Sequence, residues 1–258
     1  MLSVTAIAAF RDNYIWLIHD PAGNGVVVDP GDAAPVLATL DHLGITLRAI
    51  LITHHHPDHV GGIQALCERW PVPVYGPRQE KIPGVTVQLD DGDLVSLPLP
   101  AINLTVIGVP GHTLGQIAYY SEQPDGPMLF CGDSLFSAGC GRLFEGTPAQ
   151  MLDSLDRLVA LPEATRVYCT HEYTASNLLF ARSILPSDAA LIRRQQQVTA
   201  LRDAQQPSLP STLGEELRSN LFLRCHEPVL QAALNDGSAE PMDRLSVFTA
   251  LRTKKDHF

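Results

Sequence analysis

The 258-residue sequence predicts a layered α/β protein with a smaller all-α unit at its C-terminal end. Three observations carry that prediction. Runs that are apolar at consecutive positions, VVV at 26–28, AILI at 49–52 and VYC at 167–169, are what strands buried on both faces require. Helical-period segments and turn signals separate these runs through the first two-thirds of the chain. Beyond about residue 171 the strand-like runs give way to long stretches rich in strong helix formers. We therefore divide the chain into residues 1–170 and 171–258, a length that suits one large domain with a small companion.

Taken in order, the expected strands are VTAIAAF (4–10), YIWLIH (14–19), GVVVD (25–29), RAILIT (48–53), VTVQL (85–89), NLTVIGV (103–109), QIAYYS (116–121), MLFCG (128–132) and RVYCT (166–170). Helices are expected over 33–43, 61–69 and 148–160 to cover the sheets. The C-terminal unit then reads NLLFARSIL, DAALIRRQQQVTALRDA, a proline-punctuated turn QQPSLPST, GEELRSNLFLR and PMDRLSVFTALRTKK.

Composition narrows the function. Hydrophobic residues at 45% and charged residues at 18% exclude global disorder. Eighteen Lys and Arg against 28 Asp and Glu give a net charge of −10, which disfavours nucleic acid as a partner because a polyanion needs a basic surface. No apolar run approaches the roughly 18 residues that cross a bilayer, and the N-terminus lacks a signal-peptide pattern. The expectation is a cytoplasmic protein with no membrane partner. Five widely spaced cysteines without a CxxC read as reduced thiols.

The ten histidines are unevenly placed, and that is informative. RAILIT ends in His54-His55-His56-Pro57-Asp58-His59, an H-x-H-x-D-H spacing of the imidazole and carboxylate ligands that hold zinc, iron or manganese. His54 and His56 lie two apart and point the same way in an extended segment, whereas Asp58 and His59 follow a proline that disfavours helix at His56. One segment can thus serve two cation positions. Three further polar groups each follow an apolar strand: His112 in VIGVPGHT, Asp133 in MLFCGDS and His171 in VYCTHEY. Loops at strand ends of a layered sheet meet along one edge. We expect His54, His56 and His112 at one metal, Asp58, His59 and His171 at the other, and Asp133 bridging them. Asp29, in GVVVDPG, suits either a turn or the orientation of a ligand imidazole. Cys131 and Cys169 read as core residues.

H-x-H-x-D-H, PGHT, GDS and the later His resemble the metallo-β-lactamase-fold hydrolases, and the resemblance implies an αββα sandwich with metals at one edge. The seven assignments agree with that superfamily's dinuclear pattern. Arg11-Asp12-Asn13-Tyr14, the segment Gly139-Cys140-Gly141-Arg142-Leu143-Phe144-Glu145-Gly146-Thr147, His171-Glu172-Tyr173-Thr174 with Asn177-Leu178, and a terminal Arg252-x-x-Lys255-Asp256 narrow the likeness to the glyoxalase II, or hydroxyacylglutathione hydrolase, family. It extends over the whole chain, helical extension included. It implies glutathione contacts at Arg142, Phe144, Tyr173, Arg252 and Lys255. A monomer is the expected working unit. Arg142 and Phe144 stand where many family members have Lys and Tyr, and Leu221 follows Asn220 where a Pro is common.

The chemistry suits these residues. A metal-bound water has its pKa lowered toward about 7, and two divalent ions, two aspartates and a hydroxide leave a core of about +1 that stabilises a developing oxyanion. A thioester expels a thiolate whose conjugate acid has a pKa of about 8.5, so a dedicated general acid is dispensable. The expected activity is cleavage of an S-(2-hydroxyacyl)glutathione, such as S-D-lactoylglutathione, by a hydroxide between two metals, with Asp58 and Asp133 as the catalytic carboxylates. This is the second step of methylglyoxal detoxification. Two other readings compete: an iron persulfide dioxygenase with a single metal, and a metal-dependent sensor without turnover. Read from the residues alone, the basic C-terminus better suits a solvated helix end, and only the resemblance turns it toward the substrate.

Overall fold

Consecutive apolar residues along a strand must point to opposite faces, so the chain needs apolar cover on both sides of its sheets. The computed structural model, which describes residues 1–124, 126–235 and 242–258, supplies that cover with two facing six-stranded sheets flanked by helices. The first sheet runs in chain order through β1 (Ser3–Ala9), β2 (Asn13–His19), β3 (Asn24–Val28), β4 (Thr46–Leu51), β5 (Val74–Pro77) and β6 (Val87–Leu89). β1 to β3 are antiparallel, and β3 to β6 are parallel. The second sheet has β7 (Leu94–Pro98), β8 (Ala101–Gly108), β9 (Ile117–Ser121), β10 (Met128–Gly132) and β13 (Arg166–Cys169) in spatial sequence, with β14 (Ser211–Thr212) at its edge. Between β10 and β13 a two-stranded hairpin, β11 (Leu135–Phe136) and β12 (Gly139–Cys140), stands apart from both sheets.

The strand alternation sorts the core. Trp16, Ile18, Ala49 and Leu51 face the second sheet, where they meet Leu104, Val106 and Tyr119. Ile15, Leu17, Leu47 and Ile50 face outward onto α1 (Ala33–Leu43) and α3 (Ile63–Arg69) through Val36, Leu40, Ile63 and Leu66. Tyr119 of β9, fully buried, donates its hydroxyl to Ile52 O at 2.8 Å, and Ile117 N donates to Thr53 O at 3.0 Å. These two bonds fasten the sheets together one residue before His54.

Local signals explain the helix ends. α1 begins where Asp32 accepts from Ala34 N and ends at Gly44, whose φ of 65° is left-handed. α4 (Pro148–Val159) starts with a reciprocal Thr147–Gln150 capping box and proline at its first turn. The helix expected over 61–69 is α3, starting at Ile63, and a separate single turn, α2 (Pro57–Val60), precedes it. The break falls at Gly61 and Gly62, where a Cβ would come within 2.5 Å of Gly31 O and Pro30 O respectively. This close approach presses the 29–31 turn onto the His-rich loop, and Gly31 has even less room, since its Cβ would lie 1.8 Å from Asp58 O.

The C-terminal part consists of α5 (Thr174–Ile184), α6 (Ala189–Asp203), α7 (Leu213–Ser219), a 3-10 turn at Leu221–Leu223, α8 (Pro228–Leu234) and α9 (Arg244–Asp256). It is not purely helical as expected. Ser211 and Thr212 form β14 and pair with β13 at Val167 and Arg166, which covers an otherwise open sheet edge. The final helix, expected to open with PMD, starts at Arg244 under the Asp243 cap; Pro241 lies outside the described residues. Among the described residues, no helix is long and apolar enough to cross a membrane.

Candidate metal centre

Four strand ends converge on one edge of the sandwich. β4 runs into Thr53 and His54, β8 leads to His112, β10 to Asp133 and β13 to His171. At His56 the backbone is extended, with φ −60° and ψ 145°, and Pro57 then opens α2, so His54 and His56 precede the turn while Asp58 and His59 lie on it. All seven expected ligands come together. His54 Nε2 and His112 Nε2 each lie 3.0 Å from His56 Nδ1. Asp58 Oδ2 lies 3.7 Å from His59 Nε2 and 3.5 Å from His171 Nε2. Asp133 stands between the two groups: Oδ2 is 3.4 Å from both His112 Nε2 and His171 Nε2, and Oδ1 is 3.4 Å from His59 Nε2.

The residues fit a pair of cations on the chain's own evidence. His59 Nε2 and Asp133 Oδ1 are buried without a hydrogen-bond partner, which costs free energy unless something else satisfies them. His54, His56 and His112 have ligand atoms within a 4.8 Å span, as do Asp58, His59 and His171, and also His54, His59 and Asp133. Nitrogen and carboxylate oxygen together suit zinc, iron or manganese.

Electrostatics follow from this crowding. Burial alone pushes the Asp133 carboxyl up, but the facing imidazoles of His59, His171 and His54 overcome it and hold it well below the usual carboxylate range. Burial drives His54 well below its ordinary value, with His59 adding to the effect. Burial also lowers His171, yet Asp133 and Asp12 outweigh it and raise the group to about 9.

The ligand imidazoles are oriented from behind. Asp29 accepts from Thr53 N at 2.8 Å and Thr53 Oγ1 at 2.7 Å, and its Oδ2 lies 3.0 Å from His59 Nδ1. The residue thus serves both the turn and the ligand. His112 Nδ1 donates to Arg142 O at 2.8 Å. Asp12 and Asn13 also reach the centre, at His171 and Asp58 respectively. In the sequence they stand only within a family signature, with no role of their own. Two polar residues at a turn between apolar strands were the available signal.

A cavity of about 470 Å³ opens from Asp133 and His112 toward the C-terminal helices. The five expected contact residues all line it. Tyr173 stacks on His171 with ring centroids 4.7 Å apart, and Phe144 sets its edge against His56 and His112 at 5.5 and 5.2 Å. Arg252 is buried, donating to Cys140 O at 2.8 Å and Asp256 Oδ1 at 2.9 Å, while its Nε has no partner. Lys255 Nζ donates to Ser176 Oγ at 3.1 Å, and Arg142 is largely exposed at the rim. Phe136 and Phe258 complete the wall, and neither falls within a sequence motif. Cys131 and Cys169 are buried and free.

This αββα sandwich, with a His- and Asp-lined centre at one edge able to hold two metals, defines a member of the metallo-β-lactamase superfamily, whose family profile matches residues 9–171. Solved structures of that fold align with it. The BLEG-1 B3 metallo-beta-lactamase gives a TM-score of 0.65 at 22% identity, covering 86% of this chain and 99% of its own. ETHE1 from Myxococcus xanthus gives 0.66 at 24% identity over 99% and 98%. TTHA1623, solved in a di-iron-bound form, gives 0.59 at 26% identity over 86% and 100%. The profile "Hydroxyacylglutathione hydrolase C-terminus" matches residues 172–258. Proteins named hydroxyacylglutathione hydrolase from Cupriavidus taiwanensis and Yersinia pestis are each 52% identical to this chain, and one from Methylobacillus flagellatus is 50% identical, all over the full length of both partners. The chain belongs to the hydroxyacylglutathione hydrolase family.

Proposed function

We propose that this chain hydrolyses S-(2-hydroxyacyl)glutathione thioesters, such as S-D-lactoylglutathione, to a 2-hydroxy acid and glutathione, the second step of methylglyoxal detoxification. The observation that carries the reading is the meeting of the two ligand groups on Asp133 at the base of a cavity whose far wall carries Arg142, Arg252 and Lys255. Full-length relatives at 52% identity bear the corresponding name. His54, His56 and His112 would hold one ion, Asp58, His59 and His171 the other, with Asp133 shared. Divalent ions there, zinc first with iron or manganese as alternatives, supply Lewis acidity that lowers the pKa of water toward about 7 and polarises a carbonyl oxygen.

The chain's own residues do the rest. Asp58, whose side chain is 40% exposed, is placed to accept a proton from an attacking water. The cationic side chains pair with the carboxylates of the glutathione moiety, and Tyr173 and Phe144 give its apolar parts a surface. The departing thiolate needs no proton donor, since its conjugate acid ionises near about 8.5. In this reading residues 1–170 form the catalytic domain and 171–258 the helical domain that completes the substrate site. The enzyme works as a cytoplasmic monomer, with neither nucleic acid nor membrane as a partner.

The test pairs metal analysis of the purified chain with thiol release from S-D-lactoylglutathione. Two ions per chain with rapid thiol release is the expected outcome. One iron per chain with oxygen consumption would sink the hydrolase reading and favour a dioxygenase.

A further inference from the structure

The turn between β1 and β2 brings to the centre two side chains that the ligand set leaves without a role. Asp12 Oδ1 accepts from His171 Nδ1 at 2.8 Å, and Asn13 Nδ2 donates to Asp58 Oδ2 at 3.0 Å. Both targets belong to one group, Asp58, His59 and His171. The backbone repeats the pairing: Tyr14 N donates to Thr170 O at 2.6 Å, Glu172 N donates to Asp12 O at 2.8 Å, and Asn13 bridges His171 between them. The first residues of β2 are therefore laced to both sides of the last ligand in the chain. In the other group, His54 Nδ1 faces Thr53 Oγ1 at 3.1 Å and His112 Nδ1 faces Arg142 O at 2.8 Å, both uncharged partners contributed from elsewhere in the fold.

We infer that Asp12 and Asn13 are positioning residues that build the Asp58–His59–His171 cation site and leave the His54–His56–His112 site independent of them. A neutral imidazole carries one proton and one lone pair, so a proton held on Nδ1 by Asp12 turns the Nε2 lone pair inward, toward Asp133 Oδ2 at 3.4 Å and Asp58 Oδ2 at 3.5 Å. Asn13, itself buried, occupies one lone pair of Asp58 Oδ2 and leaves the other for a cation. It also fixes a carboxylate whose side chain is 40% exposed. Asp12 has a side chain 37% exposed, so truncating it hollows no core.

The inference rests on the dinuclear reading above, and its test uses no thioester. Zinc is titrated into the full chain, stripped of metal, in competition with a chromophoric chelator. The natural sequence should take up two ions. In the double variant Asp12→Ala, Asn13→Ala the first ion should bind as before, and the second should weaken by about 10–100-fold, the usual cost of losing such an orienting partner. Asp12→Asn on the natural background, whose amide oxygen still accepts from Nδ1–H, should retain most of the second ion's affinity. An unchanged second ion, or two ions weakened alike, overturns the inference. Independently of any variant, ring nitrogen shifts of the zinc-loaded chain should place the His171 proton on Nδ1; a proton on Nε2 overturns it too. A chain that binds two ions in this pattern yet cleaves no thioester sinks the proposed activity and leaves this inference standing. A natural chain that binds only one ion sinks the inference together with the dinuclear reading.

Discussion

Asp133 is the residue on which the two ligand groups depend, because its oxygens face His59 on one side and His112 and His171 on the other. Losing a group that merely orients a ligand costs about 10–100-fold in metal affinity or activity, so losing a shared ligand should cost more than about 100-fold. Asp133→Ala is expected to abolish thioester cleavage within that margin and to lower the metal content below two per chain; undiminished metal and rate would reject the shared position. This residue was legible in the sequence because each ligand follows a short apolar strand, and strands of one sheet end along a common edge. The spacing His54-x-His56-x-Asp58-His59 was legible for a still more local reason: strand, proline and helix turn follow one another within six residues. Asp12 had no such handle. Its partner His171 lies 159 residues away, and nothing in local pattern says which imidazole a turn aspartate will meet. Glu172 is similar, a carboxylate that collects Tyr14, Ser208 and Arg202 from three distant segments.

Among the elements, the hairpin β11–β12 does the most connecting with the least intrinsic stability. Two residues per strand cannot hold themselves together, and its turn includes Ala138 at a φ of 57°. Yet Asp133 precedes it, Cys140 ends it and Gly141 and Arg142 follow it, so its position decides where Asp133 and the anchor of Arg252 stand. The helical part clamps it. Asn220 Nδ2 donates to Phe136 O at 3.1 Å and Gly139 O at 2.8 Å, Glu216 Oε2 accepts from Ala138 N at 2.7 Å, and Asn177 Nδ2 donates to Ser137 O at 3.0 Å. Asn220→Ala strands two buried carbonyls, each worth about 1–3 kcal/mol, so urea unfolding should show a loss of about 2–6 kcal/mol. Asn220→Asp, although isosteric, should fare no better, since a carboxylate has no proton to give either carbonyl. Unfolding midpoints equal to that of the natural chain would refute the clamp. Such an element is invisible to period counting. β5 escaped for a different reason: prolines surround it in PVPVYGP, and proline argues against a strand wherever the ladder needs its N–H. The longer β2, β3, β8 and β10 came through within a residue or two because both of their faces are apolar or strictly alternate.

At the scale of the whole molecule, a net charge of −10 coexists with a locally cationic wall because screening confines exposed charge to roughly 8 Å, and Arg142, Arg252 and Lys255 gather within one cavity. Fold class and the location of the centre could be read from the chain; the balance of protons inside the centre required the tertiary contacts, and it makes a prediction. In the metal-free chain His59 and His171 are raised, the latter to about 9, because Asp133 and a second carboxylate outweigh burial. Between the ordinary histidine value and about 9 the folded chain holds protons that the unfolded chain has released, so stability must fall as pH rises through that window. His54, His56 and His112 are lowered, chiefly by burial, and work in the opposite direction. Below the ordinary value the unfolded chain takes up protons those folded imidazoles refuse, so their contribution falls as pH drops. These groups therefore set a stability maximum for the metal-free chain near about pH 6.5. Cations reverse the upper limb, since they bind deprotonated imidazoles and gain as protons leave. An ion at about 100 times its dissociation constant adds about 2.7 kcal/mol, or roughly 5–10 °C in Tm for a chain of this size. The zinc-induced rise in Tm should accordingly grow between pH 6.5 and 9, with calorimetry on chelated and zinc-loaded protein as the measurement. A rise that shrinks over that interval would mean the imidazoles lining the centre are not where the ions bind.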